Sequence, residues 1–89
     1  MPVISMFHGL LISMYFMDSK RHHTPHVHVR YQEHEAVYDV TTGDVLEGEL
    51  PKPKARLVQA WIELRREDLL ADWQLATQGL PLFQVEPLR

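Results

Sequence analysis

Apolar and polar residues alternate with a period of two through the first half of the chain and with a helical period through the second. Val3 to Phe7 reads as a strand, and His8-Gly9 supplies a tight turn into Leu10 to Phe16. In that segment Leu10, Ile12, Met14 and Phe16 share one face, and Leu11, Ser13, Tyr15 and Met17 share the other, which suits a central strand. Asp18 to Pro25 breaks the pattern with a polar, basic loop. From His26 to Gln32, Val27, Val29 and Tyr31 point one way and His26, His28, Arg30 and Gln32 the other. Glu35 to Val40 alternates again, with Ala36, Tyr38 and Val40 apolar. Thr42-Gly43-Asp44 carries turn chemistry before a short strand from Val45 to Leu50.

Beyond Pro53 the period changes. Leu57, Trp61 and Leu64 form one helical stripe, and Val58, Ile62, Leu69, Trp73 and Ala76 form a second. Asp68 and Asp72 occupy the next places of the first stripe, so the apolar face rotates near Arg65-Arg66-Glu67 and a kink or break is expected there. Gly79 suits a helix C-cap, and Leu80 to Val85 reads as an extended tail that packs back or forms an edge strand. The sum is an α+β domain spanning residues 1–89. Its first half is an antiparallel sheet of four or five strands. A kinked helix or helix pair over about residues 53–78 packs on one face, and an extended C-terminal tail follows.

Composition narrows the chemistry. The 89 residues are 45% hydrophobic and 24% charged, which is ordinary for a folded domain. The absence of cysteine removes disulfides, thiolate metal sites and thiol nucleophiles together and points to a reducing compartment, the cytoplasm. The N-terminus is apolar without a basic flank, so it reads as a strand and not a leader. No run approaches the roughly 18 apolar residues of a membrane span. A formal charge of −3 gives no global attraction to nucleic acid. There is no P-loop, dinucleotide fingerprint, helix-borne metalloprotease motif or nucleophile elbow.

The histidines remain. His26 and His28, two apart on a strand, project their rings from the same face at a spacing that can grip one metal ion. A divalent transition metal such as zinc or nickel is the cofactor they would take, with His22, His23, Asp18 or a residue on a neighbouring strand as a third ligand. A hairpin turn centred between Glu33 and His34 would pair His28 with Asp39, His26 with Thr41, Val29 with Tyr38 and Val27 with Val40. His28 beside Asp39 is then a metal pair, a base oriented by a carboxylate, or a plain cross-strand hydrogen bond. The catalytic candidates are His26, His28, Arg30 and Asp39, with Tyr31 assisting. His34, His8, and the basic residues Lys52, Lys54 and Arg56 read as surface, the last three also as an anion site at the helix N-terminus.

Several segments in fixed order carry a family resemblance. They are Ile4-Ser5-Met6-Phe7, Met14-Tyr15-Phe16, Pro25-His26-Val27-His28-Val29 with Tyr31 and Ala36, Gly48-Glu49-Leu50-Pro51, Leu57-Val58 with Trp61, and Leu69-Leu70 with Trp73. Together they resemble the small bacterial family catalogued as domain of unknown function 4160, over nearly the whole chain. The resemblance implies stand-alone bacterial proteins of this length, often encoded beside a partner in arrangements similar to toxin–antitoxin gene pairs. The family's histidine ahead of its Pro-His-x-His segment could be His22 or His23, and Thr24-Pro25 stands where the family tends to have two prolines. Two functions follow as expectations. One is a module binding a protein partner encoded by an adjacent gene, with homo-oligomers as a variant of that reading. The other is a small metal-independent ribonuclease-type toxin with RNA as substrate, in which His26 or His28 acts as acid or base and Arg30 holds phosphate.

Overall fold

The computed structural model describes residues 2–16 and 24–89. Five strands form one antiparallel meander in sequence order: β1 (Val3–Phe7), β2 (Leu10–Ser13), β3 (His26–Tyr31), β4 (His34–Asp39) and β5 (Val45–Gly48). One helix, α1 (Lys52–Thr77), follows, so the fold is α+β as the two periodicities imply.

Short loops enforce the meander. His8 (φ 50°) and Gly9 (φ 79°) both adopt the left-handed region, the two-residue turn whose twist matches that of paired strands. A register shift between Val3 and Ser5 marks a bulge in β1, and it lets Ile4 and Ser5 both be buried. Gln32, at φ 54°, begins an equally tight turn between β3 and β4.

That turn corrects the expected register. Its centre lies between Gln32 and Glu33, so Tyr31 pairs with His34, Val29 with Ala36, His28 with Val37, Val27 with Tyr38 and His26 with Asp39. The shift is two residues. Each side chain therefore keeps its face, but His28 meets Val37 instead of Asp39, and His26 meets Asp39 instead of Thr41. The expected register set the turn one residue later in the chain, centred between Glu33 and His34.

The core lies between one sheet face and α1. Ile4, Phe7, Leu10, Ile12, Met14, Val27, Val29, Ala36, Tyr38 and Val40 meet Val58, Trp61, Ile62, Leu69 and Trp73 in one cluster. The helix turns at Arg65, whose φ of −111° and ψ of 18° leave the helical region where the apolar stripe was expected to rotate. Leu64, expected in the first stripe, is 66% exposed, because the bend carries the buried face from Ile62 to Leu69. Gly79 (φ 71°) closes the helix in a Schellman arrangement, with Leu80 N donating to Leu75 O at 3.0 Å and Gly79 N to Ala76 O at 3.1 Å.

The tail packs back on β1, as expected. Val85 is buried and its N–H donates to Ile4 O at 2.8 Å, Gln84 Nε2 donates to Val3 O at 2.7 Å, and Trp61 Nε1 donates to Glu86 O at 2.7 Å. Among the described residues no helix is long and apolar enough to cross a membrane.

Candidate functional site

The sheet face away from the core is concave. Leu11, Ser13, Tyr15, His28, Arg30, Glu35, Val37 and Glu47 line a groove of about 440 Å³ there, every one contributed by β2 to β5 or by Tyr15 just beyond β2. The register explains the set: Leu11 pairs with Arg30 and Arg30 with Glu35, while Ser13 pairs with His28, His28 with Val37 and Val37 with Glu47. Val37 is buried yet stands outside the core cluster, which marks it as the floor of the groove.

His28 is half-buried and lies flat against Tyr15, with ring centroids 4.2 Å apart and planes 13° from parallel. The Tyr15 hydroxyl is 3.3 Å from His28 Nδ1. Arg30 reaches across to Glu35 at 3.0 Å, and both side chains are largely exposed, so the pair shapes the rim more than it stabilises the fold.

His26 behaves differently. Its ring is 5.3 Å from that of His28, so the two share a side of β3 as the alternation requires, yet His26 is fully buried. Trp73 lies over it at 5.1 Å and meets Phe16 at 5.7 Å, so the second half of the helix reaches the start of β3. His26 Nδ1 is 2.8 Å from Thr24 O. A carbonyl can only accept, so Nδ1 is the donor in this bond.

Asp39 organises a loop. Its Oδ1 accepts from Thr41 N at 2.7 Å and Thr42 N at 3.1 Å, and its Oδ2 accepts from Thr24 Oγ1 at 3.3 Å. It thus ties the β4–β5 turn to the residues leading into β3 and does not orient His28. Among the described residues, no three His, Asp or Glu side chains gather to hold a metal. His22, His23 and Asp18, the expected third ligands, lie outside the described residues. Lys54 Nζ donates to His8 O at 2.9 Å and sits 4.9 Å from the centre of the Tyr31 ring, so this lysine of the expected anion site is engaged with the β1–β2 turn.

Burial raises the pKa of two groups away from the groove. Burial pushes the Tyr38 hydroxyl up from 10.0. It also raises the Asp72 carboxyl above 3.8, against the hydrogen bond from Phe83 N and with a further push from Asp68. Asp72 Oδ1 accepts from Phe83 N at 3.0 Å, while Oδ2 is buried with no hydrogen-bond partner.

A family model described as a domain of unknown function, DUF4160, matches residues 9–74, well over half of the chain. The chain belongs to the DUF4160 family. No curated protein and no solved structure matches it. The match spans β2 to β5 and most of α1, and so contains the whole groove and the His26–Trp73 contact of this DUF4160 domain.

Sequence reasoning found His28 and Arg30 but missed their neighbours in the groove. Leu11, Ser13, Tyr15 and Val37 looked like one side of ordinary strands. The signal for them was the cross-strand register, which sets Leu11 beside Arg30 and both Ser13 and Val37 beside His28.

Proposed function

We propose that this DUF4160 domain is a cytoplasmic partner-binding module, one member of a toxin–antitoxin-like gene pair, that holds the protein encoded beside it on the open face of its sheet. The observation that carries this reading is the groove itself. It combines an apolar floor of Leu11 and Val37, a flat Tyr15–His28 stack, and a charged Arg30–Glu35 rim. Interfaces are built in this way, with aromatic and apolar residues at the centre and polar groups around them.

The reading is tested by co-purifying the domain with the adjacently encoded protein. Leu11→Arg puts a charge on the groove floor and should weaken pairing at least about tenfold, or 1.4 kcal/mol. Leu64→Arg, on the exposed helix surface, should leave it unchanged. Pairing that survives Leu11→Arg and fails in Leu64→Arg overturns the assignment.

A ribonuclease-type toxin is the second reading, favoured because His28, Arg30 and Tyr15 line one groove. His28 would be its acid or base and Arg30 its phosphate contact. His26, buried beneath Trp73, would then support His28 instead of touching RNA. RNA cleavage by the purified domain, lost in His28→Ala, would favour this reading over the first. On the first reading, a zinc or nickel ion would be held by His26 and His28, with His22 or His23 as the candidate third ligand.

A further inference from the structure

The two edges of the sheet are treated differently. The tail lies along β1, with Val85 N bonded to Ile4 O and Gln84 to Val3 O, so that edge is occupied. At the other edge, no described segment pairs with the outer side of β5. Val45 is 49% exposed and Leu46 39%, and Gly48 and Glu49 are exposed beyond them. Folded proteins commonly guard such an edge with a short strand, a bulge, charged side chains, proline or a covering segment, and β5 is short, carries a register shift against β4 and is guarded by carboxylates alone. The run Asp44-Val45-Leu46-Glu47-Gly48-Glu49 contains neither lysine nor proline.

We propose that β5 receives an extended basic segment of the protein partner as a sixth strand, a proposal that rests on the partner-binding reading above. Main-chain hydrogen bonds along an edge are indifferent to sequence, so the side chains beside it select the occupant. Here they are the exposed Asp44 and Glu49, with Val45 and Leu46 between them. A second copy of the chain is a poor occupant, because antiparallel pairing of two β5 strands would set carboxylates against carboxylates. A strand that alternates lysine or arginine with aliphatic residues meets both the charge and the exposed apolar surface.

Continuity with the groove strengthens the case. Glu47 and Gly48 belong to β5 and also line the groove, so a partner seated on the open face lies directly beside the edge. A four-residue strand offers few main-chain bonds. Strand addition at β5 therefore works together with the groove contact and not in place of it.

The probe is a synthetic eight-residue peptide alternating lysine and valine, titrated into the isotope-labelled full chain and followed by amide NMR. A peptide alternating glutamate and valine is the control. The expected result is shifts concentrated at residues 44–49 with the lysine peptide, weakened by added salt, and binding at least about tenfold weaker for the glutamate peptide. The double variant Asp44→Lys, Glu49→Lys changes two exposed side chains and should reverse the preference while keeping a native spectrum. Equal affinity for both peptides, or shifts outside β5, overturns the proposal. Co-purification separates this proposal from the reading beneath it. If pairing with the adjacent protein is lost in Leu11→Arg but untouched by Asp44→Lys, Glu49→Lys, the groove stands and the edge does not. If the lysine peptide docks on β5 while Leu11→Arg leaves pairing intact, the edge stands and the groove reading falls.

Discussion

Gly48→Ala should be among the most damaging single-methyl changes available in this chain. Gly48 has φ 77°, a region in which a Cβ costs roughly 1–2 kcal/mol. An added Cβ would also fall inside the van der Waals envelope of the Glu35 carbonyl oxygen and lie 2.9 Å from Ala36 Cα. Both obstacles are backbone of β4, so neither can swing aside like the end of a side chain. Relief requires β5 to move away from β4, which sacrifices the Glu49 N to Glu35 O bond of 3.2 Å at a further cost of about 1 kcal/mol. Together with the residual clash, the loss should be about 3 kcal/mol, a large share of the stability of a small domain. For a chain of this length that corresponds to a fall in Tm on the order of 15 °C. Urea titration monitored by tryptophan fluorescence measures it directly, and Gly43→Ala is the matched comparison. Gly43 also has positive φ but no atom within 4 Å of an added Cβ, so it should lose only the backbone component. Equal losses at the two sites would refute the claim that contact with β4 dominates at Gly48.

Three further outcomes follow from the geometry. Burial raises the Asp72 pKa above 3.8, so the native chain holds that proton more tightly than the unfolded one. Its contribution to stability is greatest below the unfolded value and declines as pH rises through the raised native one. Asp72→Asn keeps an oxygen for Phe83 N–H without the charge, so it should raise Tm at neutral pH and flatten that decline, as thermal melts across the acid range would show. The exposed Arg30–Glu35 pair should return less than about 0.5 kcal/mol in a double-mutant cycle, and a larger coupling would mean the groove rim is more rigid than its exposure suggests. If the chain binds zinc or nickel, His28→Ala should abolish the calorimetric heat of binding, whereas identical heats in the two proteins would remove His28 as a ligand.

The architecture was legible because its signals are local. Alternation over residues 10–16, 26–32 and 35–40 set the strands, and the loss of an apolar stripe after Leu64 revealed the turn at Arg65. Leu64 itself was misassigned because a stripe continues on a helical wheel even where the real helix bends away from the core. The β3–β4 register was missed for a different reason. Gln32-Glu33 lacks the glycine or asparagine that usually announces a two-residue turn, and Gln32 adopts a positive φ without that help.

The site depended on that register more than on any single residue. His26 and His28 are identical in type and alternate cleanly, so the pattern made them equivalent, yet the fold buries one and opens the other. Trp73, about half the chain away in sequence and beyond the bend at Arg65, lies against His26 and not against the open side of His28. Asp39 moved from beside His28 to beside His26 by a two-residue shift, and there its carboxylate is taken up by the backbone of Thr41 and Thr42. A histidine that keeps an open side on a groove can meet a partner, a metal or a phosphate, whereas one buried under tryptophan is closed to a partner or a phosphate. The functional weight of the Pro25-His26-Val27-His28 segment therefore rests on His28, with His26 and Trp73 behind it and Leu11, Tyr15 and Val37 forming the surface beside it.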